Sequence, residues 1–166
     1  MRKITRLLRH LTTTRAAGRR TFPAHTLKAI QTAIAQGEAQ HRAEIRLIVE
    51  PALTLRDVLI GLFSRERARE LFAHHRIWDT EENCGILIYI NLADHKVEII
   101  TDRAVGRALK AADWEAVCHT MTQGFARGDF HDSAVAALFQ LNALLKTNFP
   151  ANGVPLNELS NRPLVL

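Results

Sequence analysis

The stretch Asn83-Cys84-Gly85-Ile86-Leu87-Ile88-Tyr89-Ile90-Asn91-Leu92-Ala93-Asp94-His95-Lys96-Val97-Glu98-Ile99-Ile100-Thr101 decides the fold. Its first half is a short, continuous apolar run rich in isoleucine, the pattern of a strand covered on both faces. Only Ala93-Asp94-His95 separates it from a second strand-like run, 96–101. So short a connection joins antiparallel neighbours, and the pair reads as a hairpin. A strand buried on two faces needs a layer on each side, and the flanking sequence supplies helices for both.

Upstream, Glu44-Ile45-Arg46-Leu47-Ile48-Val49-Glu50 is β-branched and alternating, and Pro51 ends it by removing a donor. Phe22-Pro23 opens a helix that runs to about His41, with Thr21 as its N-cap and Leu27, Ile30, Ala33 and Ile34 on its buried face. Thr54 starts a short helix through Leu62, and Ser64 caps another over 65–77. Residues 79–85 are a polar loop. Helices at 113–127 and 131–148 follow the hairpin and stop at Phe149-Pro150. Trp78 and Trp114 are expected to anchor helix ends in the core. The order implies an α/β protein, a three-layer α/β/α sandwich with a small mixed sheet. The domain is expected over 21–150, between a basic amphipathic helix at 1–20 and an extended tail at 151–166.

The 166 residues, 47% apolar and 23% charged, suit one globular domain and exclude a disordered or low-complexity chain. Aromatics are 6% and Tyr89 is the single tyrosine, too few for a base-stacking platform, so no nucleic-acid partner is expected. The net charge of +5 sits at one end: Arg2, Lys3, Arg6, Arg9, Arg15, Arg19 and Arg20 come before any acid, and the remaining chain is negative. Ile4, Leu7, Leu8 and Leu11 follow helical spacing. The expectation is that this apolar stripe packs on the domain. Arg2, Lys3, Arg6 and Arg9 then face a protein partner or an anionic membrane surface. Charge interrupts any signal-peptide core, and the apolar run at 85–93 is too short to span a bilayer. Two cysteines make no disulfide framework. A cytoplasmic protein, peripheral to membranes, is the expectation.

The order of pieces resembles the TPM domain, named for a thylakoid lumen protein, a photosystem II repair protein and a nematode membrane protein. The resemblance rests on Glu44 to Glu50, on Asn83 to Ile90 and on Lys96 to Arg103, and covers roughly 22–150. It reads as a short bacterial form without the signal or membrane span of many relatives. It implies an α/β/α sandwich. Because some plant members are described as acid phosphatases and some members bind divalent metal, it also raises both activities.

The carboxylates supply candidates. Glu50, Asp79, Glu81 and Asp102 are candidate ligands for a hard divalent cation, Ca²⁺ or Mg²⁺, which takes several oxygens. Asp79, Asp102 and Arg103 are the catalytic candidates, Arg103 as a phosphate contact. The alternative for the same residues is helix capping and solvation. For Glu38, His41 and Glu44 an ion pair with Arg42 or Arg46 is expected instead. No Cys-x5-Arg, Asp-x-Asp or Walker loop is present, so any phosphate hydrolysis would use metal-activated water. Two readings follow: a non-catalytic interaction or assembly module for membrane-associated complexes, or a weak metal-dependent acid phosphatase.

Overall fold

The computed structural model describes residues 3–153 and 157–166. In chain order the elements are α1 (Lys3–Thr12), α2 (Arg15–Thr21), α3 (Ala24–Glu38), β1 (Glu44–Glu50), α4 (Leu55–Leu59), α5 (Ser64–His74), β2 (Gly85–Asn91), β3 (Lys96–Thr101), α6 (Arg103–Gly106), α7 (Ala111–Ala126), α8 (Phe130–Asn148) and β4 (Leu164–Val165). The sheet order is β3-β2-β1-β4. β1 pairs in parallel with β2 from Glu44↔Gly85 to Glu50↔Asn91. β3 returns antiparallel to β2, and β4 adds in parallel to β1.

Period-two alternation sends side chains of the central strands into two cores. Ile45, Leu47, Val49, Ile86, Ile88 and Ile90 face the larger one, where α3, α7 and α8 supply Ile30, Ile34, Val117, Met121, Leu138 and Leu141. Ile48, Leu87 and Tyr89 face the smaller one, with Ala68, Leu71 and Ile77 from α5 and the turn after it. The expected mixed-sheet sandwich is therefore present.

Several local expectations are corrected. Residues 1–20 do not form one helix: Thr14 caps a second one, α2, by accepting from Ala17 N. Thr21 ends α2 instead of capping α3. Ser64 is the first residue of α5, and its hydroxyl donates to Asp94 instead of capping. Trp78 is half exposed and anchors nothing in the core. The tail contains a strand. Leu166 N donates to Val49 O, so residues 158–166 run along β1 as a strap.

Gly85 sets the approach of β2 to the end of α5. A Cβ there would collide with the backbone carbonyl of Ile77, which cannot rotate away as a side chain can. Gly153 has open space instead. Urea unfolding of Gly85→Ala is expected to show a loss of about 3 kcal/mol. Gly153→Ala is expected to stay within about 0.5 kcal/mol of the parent.

Candidate functional site

The C-terminal edge of the parallel strands is where ligands of open α/β sheets bind. Here it is closed by the chain's own polar groups. Asp94, at the tip of the β2–β3 hairpin, accepts from Arg6 Nε at 2.8 Å and Arg6 Nη2 at 2.8 Å. It also accepts from the Ser64 hydroxyl at 3.2 Å. Leu53 N donates to His10 Nδ1 at 2.9 Å, which leaves Nε2 as the proton carrier toward Asp94, 3.1 Å away. Burial works against ionising Asp94, but the hydrogen bonds from Arg6 and His10 and the Arg6 charge outweigh it and hold the carboxyl at about 2. Arg6 and His10 lie one helical turn apart, so both reach the hairpin from one face of α1.

The network continues into the sheet. Asn91 Oδ1 accepts from Asp94 N, and Asn91 Nδ2 donates to the Tyr89 hydroxyl at 3.0 Å. Tyr89 donates to Glu50 at 2.6 Å. Glu50 also receives Arg67 through Nε and Nη2. Burial and the neighbouring Glu50 charge push the Tyr89 phenol far above its ordinary range. Glu50 is thus saturated by protein donors.

This docking inverts the expectation for the N-terminal helix. Arg6 is buried and also donates to Leu62 O. It cannot face a partner. Arg9 is half-buried, 3.8 Å from Asp94. Lys3 is exposed, and Arg2 lies outside the described residues. The polar stripe faces the domain because the hairpin tip offers a carboxylate. The apolar stripe faces out, with Ile4 71%, Leu8 55% and Leu11 52% exposed. Beside it, α4 and the turn after it expose Leu55, Leu59, Ile60 and Phe63. The Arg6 guanidinium sits over the Phe63 ring at 5.1 Å, joining the two segments.

The opposite edge of the sheet carries most of the predicted site. The loops holding Asp79, Glu81 and Asp102 adjoin: Ala104 N donates to Asn83 O at 3.1 Å and Asp102 N to Gly85 O at 2.9 Å. Asp102 caps α6 through Arg103 N, and Asp79, Glu81 and Arg103 are exposed. Glu50 is not brought to them. It stands at the other end of β1, about 20 Å away by strand rise. Among the described residues, no three His, Cys, Asp or Glu side chains are gathered as a metal ion would need.

A small cavity of about 60 Å³ lies beside these loops, lined by Glu38, His41, Glu44, Glu82 and Cys84 among others. Organic ligands occupy about 300–1,000 Å³, so it has room only for water or a small ion. The ion pairs expected here are replaced by bonds to the strap. Glu38 accepts from Ile45 N at 2.8 Å and Asn161 Nδ2 at 2.5 Å. Glu44 accepts from Glu158 N and Leu159 N. Arg42 pairs with Glu82 instead. His41 donates through Nε2 to Asn142 Oδ1 at 3.1 Å, a buried core contact.

The family model for the TPM domain matches residues 18–144. The chain belongs to the TPM domain family. The NMR structure of the BA42 protein from the psychrophilic bacterium Bizionia argentinensis is similar, with a TM-score of 0.75 at 23% identity. The match covers 86% of this TPM domain protein and 93% of that chain, and at this identity the likeness concerns the fold. No curated protein matches the chain. The helix that presents the apolar face, α1, precedes the part matched by the TPM model. Sequence reasoning missed Asp94 and His10. Their signal was an Arg and a His one turn apart on an acid-free helix, and a lone acid in the hairpin turn.

Burial pushes the Glu38 carboxyl up to about 8 from an ordinary 4.5, against the opposing bond from Ile45 N. The folded state therefore holds this proton more tightly than the unfolded chain. The stability it contributes is full below about 4.5 and is lost as pH rises through about 8. Urea unfolding followed between these limits is expected to lose a falling component in Glu38→Gln, whose stability declines less with pH than the parent's. An unchanged slope in the variant would assign it to another group.

Proposed function

We propose that this TPM domain is a non-catalytic interaction module that docks on membrane-associated assemblies through the α1–α4 face, seated on an anionic lipid surface. The observation that carries the reading is the apolar face itself, with Leu59 71%, Ile60 72% and Phe63 62% exposed beside the outward stripe of α1. Each such side chain left in water forgoes about 1.5–3 kcal/mol of burial. Contiguous exposed apolar patches of this kind mark interaction surfaces. Lys3, Arg15 and Arg56 are exposed near it, and α1 contains no acid. An apolar stripe flanked by exposed cations suits the interface of an anionic bilayer. No helix among the described residues is long and apolar enough to cross a membrane, so attachment would be peripheral.

Cosedimentation with phosphatidylglycerol vesicles tests this. Leu8→Asp and Ile60→Asp are each expected to weaken binding at least about tenfold, the equivalent of 1.4 kcal/mol. Vesicles of phosphatidylcholine alone are expected to bind less. Equal partitioning of both variants with the parent would remove the reading.

Metal-dependent phosphate-ester hydrolysis is a second reading, supported by the adjoining loops that carry Asp79, Glu81, Asp102 and Arg103. Titration with Mg²⁺ and Ca²⁺ by NMR is expected on this reading to give saturable shifts confined to these loops, lost in Asp79→Ala and Asp102→Ala. Hydrolysis of a simple phosphate ester should be lost in the same variants. Absence of a saturable response would discard it.

A further inference from the structure

We infer that the groove between the α2–α3 corner and the C-terminal strap binds a multiply charged phosphoryl anion. It is a different place from both the α1–α4 face and the acidic loops. The groove has a volume of about 880 Å³, within the range of organic-ligand sites. Arg19, Lys28, Arg46 and Arg162 line it, and no carboxylate does. None of the four belongs to an ion pair among the described residues.

Arg46 is the informative member. It is half-buried on β1, and burial lowers its pKa with no nearby acid acting in the other direction. Its Nη1 donates to Ser160 O at 2.7 Å and Arg162 O at 2.6 Å. Those neutral carbonyls fix the plane of the guanidinium without neutralising it. A cation taken half out of water with no carboxylate partner is open to an anionic ligand. The nearby strap anchor Glu38 does not serve, because it is already bonded to Ile45 N and Asn161 and burial disfavours its ionised form. Glu44 is turned to the backbone at 158–159.

Four cations exceed what one carboxylate would neutralise, and arginine forks match the oxygens of a phosphoryl group. Ser160 and Gln31 add neutral hydrogen-bonding groups at the groove. Leu27 and Pro163 give it apolar walls, so the anion would be carried on an organic body. Such a phosphoryl group could belong to a free metabolite or to a lipid headgroup.

The test is titration of the full chain with inorganic pyrophosphate, read by NMR and calorimetry at fixed ionic strength. Saturable shifts are expected at Lys28, Arg46 and 160–164. Arg46 also holds the strap, so the affinity test uses exposed positions: Arg19→Gln with Lys28→Gln is expected to weaken binding at least about tenfold. Lys110→Gln, remote from the groove, is the control and should leave affinity unchanged. The source is read in the Leu8→Asp, Ile60→Asp background, which removes the apolar anchor. Pyrophosphate-competed binding to phosphatidylinositol phosphate vesicles assigns a headgroup. Pyrophosphate binding without vesicle binding assigns a free ligand. No saturable binding, or equal loss in the Lys110 control, overturns the proposal without touching the docking face.

Discussion

The carboxylate of Asp94 organises the C-terminal edge of the parallel strands. It sits on the four-residue turn 92–95, where the chain has little freedom, and gathers Arg6, His10 and Ser64 from two other elements. Removing one member of such a buried charge pair commonly costs about 3–5 kcal/mol, because the other is stranded. A ten-residue helix has little stability of its own in water, so α1 depends on this contact for its orientation as well as its position. The outward apolar stripe is a direct consequence. A helix with opposed stripes can satisfy only one of them against the domain, and here the ion pair wins over the hydrophobic face.

The other end of the sheet uses buried acids differently. Glu38 and Glu44 do not meet arginines; they receive backbone and amide donors from residues 158–161. Their work is to seat the strap that covers the edge of β1. Charge-bearing residues on β1 therefore divide by position along one strand. Glu44 and Arg46 hold the strap, and Glu50 closes the Tyr89–Arg67 network.

The sheet was legible because its signals are local. The apolar run at 85–91, the short turn after it and the alternation at 44–50 each fix a strand and its partner direction. β4 was not legible. Two residues, Leu164 and Val165, carry no periodicity, and their pairing depends on anchors more than a hundred positions upstream. The N-terminal stripe was legible as amphipathic, but its direction was not, since periodicity does not say which face meets the domain. Among the candidate site residues, Asp79, Glu81, Asp102 and Arg103 do share one edge, because the hairpin returns the chain to where it left. Glu50 was grouped with them by residue type, and the length of β1 separates it.

The strap gives the chain a demanding order of events during synthesis. Contacts such as Arg46 to Ser160 span 114 residues. Until the ribosome has released that far segment, β1 keeps an open hydrogen-bonding edge and a half-covered core. Long-range closure of this sort slows folding and leaves a template for pairing with a neighbouring nascent chain. The same few residues that complete the sheet thus act as a clasp whose late arrival sets how long the young protein needs protection.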